Sequence, residues 1–280
     1  MARNVRLREL LIGIEGLALL RHLCDGTDAD AELRLAEVRR LLDDDIYSTS
    51  ETTSEADPKT GYRSWSTSYD EPGNPIIALE QPAVWALVES VPPGRALDAA
   101  CGTGRHARHL VDCGHDVVGV DLTPQMLDLA RDRVRGARFV EADLSDIPAD
   151  DSQFDLVVCG LALAHVADLG SAVSELARVT APGGRLVVSV LHPFQALLGW
   201  HAPFEDEAGQ LRFVREHGHT HADYFAAFEH AGLCVRQCVE PSLTASEVAE
   251  KRRAFRHIPD ATLAAYVDLP AVLIWEAEQT

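Results

Sequence analysis

Two spacings of apolar residues divide the chain. From residue 95 onward, short runs dense in Val, Leu and Phe alternate with longer stretches in which apolar residues recur every third or fourth position. The runs at 95–98, 116–121, 137–142, 154–159 and 185–191 predict five strands. Helical spacing predicts helices over about 105–113, 124–135, 168–178 and 221–231. Two further strands are expected at 233–240 and 271–278, with a helical stretch at 244–267 between them. Strands alternating with helices in this way predict an α/β fold built on a mostly parallel sheet. No internal repeat interrupts the pattern.

Ahead of residue 95 the pattern is different. Helical spacing over 3–24 and 29–42 is broken by Asp25-Gly26-Thr27-Asp28, a turn followed by a helix cap. Leu35, Val38 and Leu42 share one face, and Arg34, Glu37 and Arg40 lie off it. Residues 1–45 are therefore expected to form a helical hairpin. Its apolar face must be covered by the main body, as a roof over the active site, or by a second copy in a homodimer. Residues 43–60 are rich in Ser, Thr, Asp and Glu and read as a loop, so 46–92 is expected to be a linker with an aromatic lead-in. Tyr62, Trp65 and Tyr69 stand at i, i+3 and i+7, which puts them on one face of a helix, either as core or as a wall over a ligand.

The chain has 280 residues, a formal net charge of -19 and 46% hydrophobic residues. That length supports one sizeable α/β body with additions. So acidic a surface repels phosphate backbones and anionic lipid headgroups, which argues against nucleic acid and membrane surfaces as partners. The apolar run at 10–20 is interrupted by Glu15 and is too short to span a bilayer, so a buried helix is expected there. Six cysteines, at 24, 101, 113, 159, 234 and 238, include no Cys-x-x-Cys pair and no zinc-type spacing. Reduced thiols in a cytoplasmic protein are the expectation, and no metal is expected.

The densest chemistry lies at 96–104, Ala-Leu-Asp-Ala-Ala-Cys-Gly-Thr-Gly. A strand runs through Asp98 into Gly102 and Gly104, and a helix follows. This is the turn at which open α/β sheets hold nucleotide-like cofactors. Gly102, Gly104 and Ala107 satisfy the loose dinucleotide fingerprint G-x-G-x-x-G/A. Asp98 favours another ligand, because a carboxylate repels a pyrophosphate and tolerates an ammonium or a sulfonium. Asp121, at the end of the second predicted strand, can accept hydrogen bonds from ribose hydroxyls and suits either ligand.

The segment Asp-x-x-Cys-Gly-x-Gly resembles motif I of the class I S-adenosylmethionine (SAM) methyltransferases. Further matches follow in order: Asp121, then Glu141-Ala142-Asp143-Leu144, then Phe154–Cys159, then the Pro182-Gly183-Gly184 turn. The resemblance covers about 62–278. It implies a Rossmann-like sheet of seven strands, mostly parallel, with an antiparallel last strand. SAM is implied as the cofactor, with S-adenosylhomocysteine (SAH) as its product. Residues 93–280 become the SAM-binding domain, 1–45 an N-terminal helical extension, and about 192–220 a lid inserted after strand five.

The resemblance also implies roles for individual residues. Tyr62, Trp65 and Tyr69 reach the cofactor. Asp98, Ala100, Gly102 and Gly104 form the turn at its amino-acid end. Asp121 and Leu122 hold the ribose, and Met126 packs on the adenine. Ala142, Asp143 and Leu144 hold and shield the adenine, with Asp143 accepting from its amino group. The carbonyl of Cys159 accepts from the cofactor ammonium. The reaction implied is methyl transfer from SAM to an O, N or C atom of a small aromatic or hydrophobic metabolite of the natural-product kind.

A base for the acceptor proton is sought among His165, His192 and His106, which sit where active-site loops are expected. His192 is preferred because Pro193 turns the chain outward there; His165 and Tyr69 are the other catalytic candidates. The lid carries Phe194, Trp200, Phe204 and Phe213, and 211–215 reads as one arm of a hairpin. His217, His219 and His221 alternate, but no carboxylate is fixed beside them in the sequence. Two other functions remain open: a SAM-binding cyclase or binding module that transfers no methyl group, and an NAD(P)-dependent oxidoreductase.

Overall fold

The computed structural model describes residues 3–71 and 73–280. Residues 1 and 2 of the expected hairpin and residue 72 of the lead-in lie outside the described residues. In chain order the strands are β1 (Arg3–Arg6), β2 (Ser50–Ala56), β3 (Arg95–Ala99), β4 (Asp116–Asp121), β5 (Ala137–Glu141), β6 (Phe154–Gly160), β7 (Thr180–Leu191), β8 (Ala202–Glu205), β9 (Leu211–Val214), β10 (Leu233–Val239) and β11 (Val272–Gln279). The helices are α1 (Leu7–Arg21), α2 (Asp28–Asp43), α3 (Pro58–Trp65), α4 (Pro75–Val88), α5 (Arg105–Asp112), α6 (Pro124–Arg133), α7 (Leu169–Val179), α8 (Pro193–Leu197), α9 (His221–His230), α10 (Ala245–Ala249), α11 (Arg252–Phe255) and α12 (Pro259–Tyr266).

Seven strands form the main sheet in the order β10-β11-β7-β6-β3-β4-β5. The pairs β7·β6, β6·β3, β3·β4 and β4·β5 are parallel, and β11 runs antiparallel to both β7 and β10. This is the expected mostly parallel sheet with an antiparallel last strand. The side chains obey the two-residue period of a strand. Ala96, Leu156, Val158 and Val187 face a core built with α1, α4, α5, α6 and α12. Leu97, Val157, Cys159, Leu186 and Val188 face the opposite core, built with α7 and α9. Burial on both faces explains why these strands read as continuous apolar runs.

A second sheet, in the order β1-β2-β9-β8, was not expected. Residues 3–6 open as a strand rather than a helix, and the supposed loop at 43–60 contains β2. Polar residues hid β2: within Ser-Glu-Thr-Thr-Ser-Glu-Ala only Thr53 and Ala56 are buried. The lid forms the expected hairpin, β8 with β9, and β9 pairs in parallel with β2. Segment 46–92 is therefore no linker, since it holds a strand, α3 and the 14-residue α4. Asp57 caps α3 by accepting from the Thr60 N–H, and Pro58 opens it. The helix ends at Trp65, so Tyr69 lies in the turn beyond it. The expected helical stretch at 244–267 consists of three short helices, α10, α11 and α12. Among the described residues no helix is long and apolar enough to cross a membrane.

Candidate functional site

A cavity of about 330 Å³ opens at the carboxyl ends of β3, β4, β5 and β6, where open α/β sheets bind ligands. Another cavity, of about 370 Å³, lies among Arg95, Asp116 and Arg138 where β3, β4 and β5 begin, on the opposite edge.

The turn after β3 forms one wall of the first cavity. Ala100 and Gly102 line it with φ of 57° and 53°. Leu161, after β6, faces the same space with φ of 55°. Two non-glycine residues in the left-handed region mark local strain of the kind that gathers at ligand sites. A Cβ built on Gly102 would meet nothing within 4 Å, so the bare backbone faces open space. Gly104 is set apart from the cavity; its conformation starts α5, and a Cβ there would lie 2.9 Å from the Val134 side chain.

Asp121 anchors this wall. One carboxyl oxygen accepts from the Gly102 N–H and the other from the Thr123 N–H, each at 2.8 Å. Burial pushes its carboxyl upward against those bonds. Leu122, Met126, Ala142, Asp143 and Leu144 continue the lining, as does Gly160, the residue after Cys159. Asp143 Oδ1 accepts from the Ser145 N–H and hydroxyl. Cys159 itself is packed in the sheet core, where burial pushes its thiol up.

Asp98 lies behind the turn, outside the lining. Its Oδ2 accepts from the Ala107 N–H at 2.7 Å, while Oδ1 is buried without a partner. Burial drives this carboxyl up to about 6, against the pull of His106, the Ala107 N–H and Arg105. Asp98 thus caps α5 from below and does not touch the cavity.

Behind the same wall sits Glu80, which the sequence reading missed. Fully buried, it accepts from Arg105 Nη1 at 2.6 Å, from the Ser189 hydroxyl at 2.6 Å and from His106 Nε2 at 2.9 Å. Ser189 Oγ in turn accepts from the N–H of the strained Leu161. One carboxylate on α4 therefore ties together the start of α5, the end of β7 and the turn after β6. His106 is committed to this network, which removes it as a free base.

The far end of the cavity is aromatic. Tyr62 and Tyr69 line it, and Trp65 stands behind them, stacked between Tyr62 and Phe204. The close approach of α3 to β9 depends on Gly61, where a Cβ would lie 2.3 Å from the Val214 side chain. His165 completes this end. Its Nδ1 donates to the Arg215 carbonyl at 2.8 Å, so its Nε2 is the acceptor for the Tyr62 hydroxyl at 2.7 Å. Glu216 Oε1 lies 3.6 Å from that Nε2, and Glu216 Oε2 is buried without a partner. Glu216 was also missed, because a lone acid in a lid carries no signal of its own. The lid is strapped down over this turn by the His217 N–H on Ala164 O and by His219 Nε2 on Val166 O.

His192 does not reach the cavity lining, which corrects its choice as base. Its Nδ1 accepts from the Phe194 N–H, capping α8, so its proton sits on Nε2 and points to Glu240 Oε1 at 2.9 Å. Nε2 of His221 meets the same oxygen at 2.9 Å. The three groups could surround a metal ion, but a histidine bound through Nε2 must carry its proton on Nδ1, where the Phe194 N–H already stands.

The donor set selects between cofactors. Among the described residues that line the cavity only Lys59 carries a fixed positive charge, and it pairs with Glu141 at 2.8 Å. Arg105 is held by Glu80. The site thus offers two carboxylates and no uncommitted cation, which suits a ribosyl adenine bearing a cationic amino-acid end and is poor for a diphosphate. SAM fits this chemistry: Asp121 and Asp143 as acceptors, apolar Leu122, Met126 and Leu144 between them, and the open backbone of Gly102.

Comparison with known proteins agrees with that choice. Residues 97–188 match a family model described as a methyltransferase domain. The chain is 35% identical over 138 residues to a demethylmenaquinone methyltransferase of Beutenbergia cavernae, covering 46% of this chain and 58% of the relative. It is 38% identical over 102 residues to a malonyl-(acyl-carrier protein) O-methyltransferase of Serratia marcescens, covering 36% of this chain and 40% of the relative. The chain thus spans about half the length of the curated relatives it matches. In fold it is similar to a SAM-dependent methyltransferase of Mesorhizobium loti, with a TM-score of 0.55 and 23% identity over 72% of this chain and 98% of that one.

Proposed function

We propose that this chain, whose residues 97–188 match a methyltransferase-domain model, is a class I SAM-dependent methyltransferase that transfers the methyl group of SAM to a small acceptor bound at the Tyr62–Tyr69–His165 end of the cavity. The observation that carries the reading is the pairing of Asp121 and Asp143 in one cavity without an uncommitted cation. SAM supplies, when bound, a methyl group on a positively charged sulfur that leaves as a neutral thioether.

The chain's own residues then have four tasks. Asp121 takes the ribose hydroxyls through the lone pairs its two backbone bonds leave free. Asp143 takes the adenine amino group, with Met126 and Leu144 against the ring. Tyr62 and Tyr69 present an aromatic wall that orients a flat or apolar acceptor and keeps water from the reacting atoms. His165 receives the acceptor's proton through the Tyr62 hydroxyl. Tyr62 takes a proton on its oxygen while passing its own to Nε2 of His165, and the electron pair left on the acceptor forms the new bond to carbon.

The acceptor is read as a small aromatic or hydrophobic metabolite of the natural-product kind, from the Tyr62, Trp65, Tyr69 and Phe204 wall. A cytoplasmic setting fits six unpaired cysteines, and a charge of -19 speaks against nucleic acid. A homodimer through α1 and α2 is supported by exposed Leu20, Leu23, Leu33 and Leu42.

The test is acceptor-dependent formation of SAH from SAM across a panel of phenols, quinols, amines and carboxylic acids. Mass spectrometry of the acceptor should show an added methyl group. SAM binding without acceptor-dependent SAH from any member of the panel would favour a non-methylating role.

A further inference from the structure

Glu216 is left over by this mechanism. Its side chain is only 9% exposed, Oε2 has no partner, and Oε1 lies 3.6 Å from the nitrogen that receives the proton. The groups around it leave it without an ionic partner. Arg215, its neighbour in sequence, is turned away onto Glu55 of β2. His201 accepts only the Glu216 backbone N–H. His217 is held by its own N–H on Ala164 and stacks on His219. Tyr62 of α3 and Tyr224 of α9 offer it no positive charge: burial above all, with a smaller push from neighbours that include Glu216, raises their hydroxyls.

We propose that Glu216 is a charge switch set by the methyl donor: it is a neutral acid when the cavity holds no cation, and it ionises when a sulfonium occupies the cavity, so that His165 can take a proton only once SAM is bound. The inference rests on the reading of the cavity as a SAM site.

Burial pushes Glu216 up to about 8 and pushes His165 below its ordinary value, so near neutral pH the pair rests uncharged. A proton passed to His165 beside a neutral acid would leave a bare buried imidazolium. Passed to His165 beside a carboxylate, it completes an ion pair. A unit positive charge would, within roughly 8 Å and through an effective dielectric near 20, lower a carboxyl by about one to two pH units or more. From about 8, that carries Glu216 across neutrality. SAH has no sulfonium and leaves it protonated, so the base switches off after transfer.

The experiment reads protons and needs no acceptor. Calorimetric titrations of SAM and of SAH, at pH 7 in two buffers of different ionisation heat, give the protons released on binding. The wild-type protein should release about half a proton more on binding SAM than the Glu216→Gln variant does. With SAH the two proteins should agree. Equal release on SAM binding in both proteins would overturn the switch. Because glutamine has the shape of the neutral acid, the variant should fold. Independently, the infrared band of a protonated carboxyl in the wild-type protein should weaken with SAM and persist with SAH. A band unchanged by SAM would also overturn the switch. Failure of both ligands to bind would instead remove the cofactor reading, and the switch with it.

Discussion

Replacing Glu80 by glutamine tests the frame on which the site is built. The variant keeps the shape and removes the charge, and it points an amide NH2 at groups that all donate: Arg105, His106 and Ser189. Burial alone would push the Glu80 carboxyl up. Attraction to and hydrogen bonds from His106, together with Arg105 and the Ser189 hydroxyl, reverse this and hold it at about 2. The fall from 4.5 to about 2 corresponds to about 3 kcal/mol. Breaking buried ion pairs by removing one member costs about 3–5 kcal/mol, which agrees. For a chain of this size that is a drop of about 5–10 °C in Tm at pH 7.

The pH dependence has a definite sign. A carboxyl held below its unfolded value stabilises the fold fully above about 4.5, and the contribution fades as pH falls toward 2. Melting curves of both proteins by circular dichroism, from pH 8 to the lowest pH at which the wild type folds, should show a constant gap above pH 5 that narrows below it. Since Glu80 also supports Leu161 through Ser189, SAH affinity should fall with Tm. A gap under 1 °C at pH 7, or one that widens in acid, would refute the argument.

The other predictions concern the turn and the helix beside it. Asp98→Asn should act with the opposite sign to Glu80→Gln. Burial raises Asp98 to about 6, so its ionised form costs the fold about 2–3 kcal/mol above that pH and little near pH 4; the variant should melt higher than wild type at pH 8 and alike at pH 4. Gly102→Val should lower SAM and SAH affinity tenfold or more with a stability loss of only about 1–2 kcal/mol, because its side chain enters the cavity and its φ is unfavourable. Gly61→Ala should do the reverse in kind: its Cβ meets Val214 at 2.3 Å, so α3 is pushed off β9 and stability falls by about 1–3 kcal/mol before affinity does. Calorimetry and thermal melts on the same samples separate the two patterns.

The main sheet was legible in the sequence because its strands are buried on both faces, and burial writes itself as unbroken apolar runs. The 96–104 turn was legible for a similar reason, since positive φ at Gly102 and Gly104 restricts the residue type. The small sheet was not legible. β2 exposes most of its side chains to solvent and owes its existence to pairing with β1 and β9, contacts that join residues 3–6, 50–56 and 211–214. Tyr69 was placed on a helix by its spacing, but α3 stops at Trp65 and the tyrosine reaches the cavity from the following turn. The histidines show what spacing leaves out. His165 and His192 each follow a strand at the right edge of the sheet, and Pro193, which favours His192 in the sequence, starts α8 and does not bring the ring to the cavity. A backbone N–H decides: that of Phe194 occupies Nδ1 of His192, whereas the Arg215 carbonyl leaves Nε2 of His165 free to accept. Glu80 braces the turn from behind and Glu216 stands beside His165, yet each is one glutamate among many in an acidic chain. Only tertiary packing distinguishes them.

The central claim is that two carboxylates and an open glycine turn, with no uncommitted cation, make a site for SAM and not for a dinucleotide. Calorimetric titration of the full chain with SAM, SAH and NAD tests it directly. One-to-one binding of SAM and SAH, weakened at least tenfold by Asp121→Asn, with no heat from NAD, is the result predicted. Binding of NAD in preference to SAM, or SAM affinity indifferent to Asp121→Asn, would contradict it.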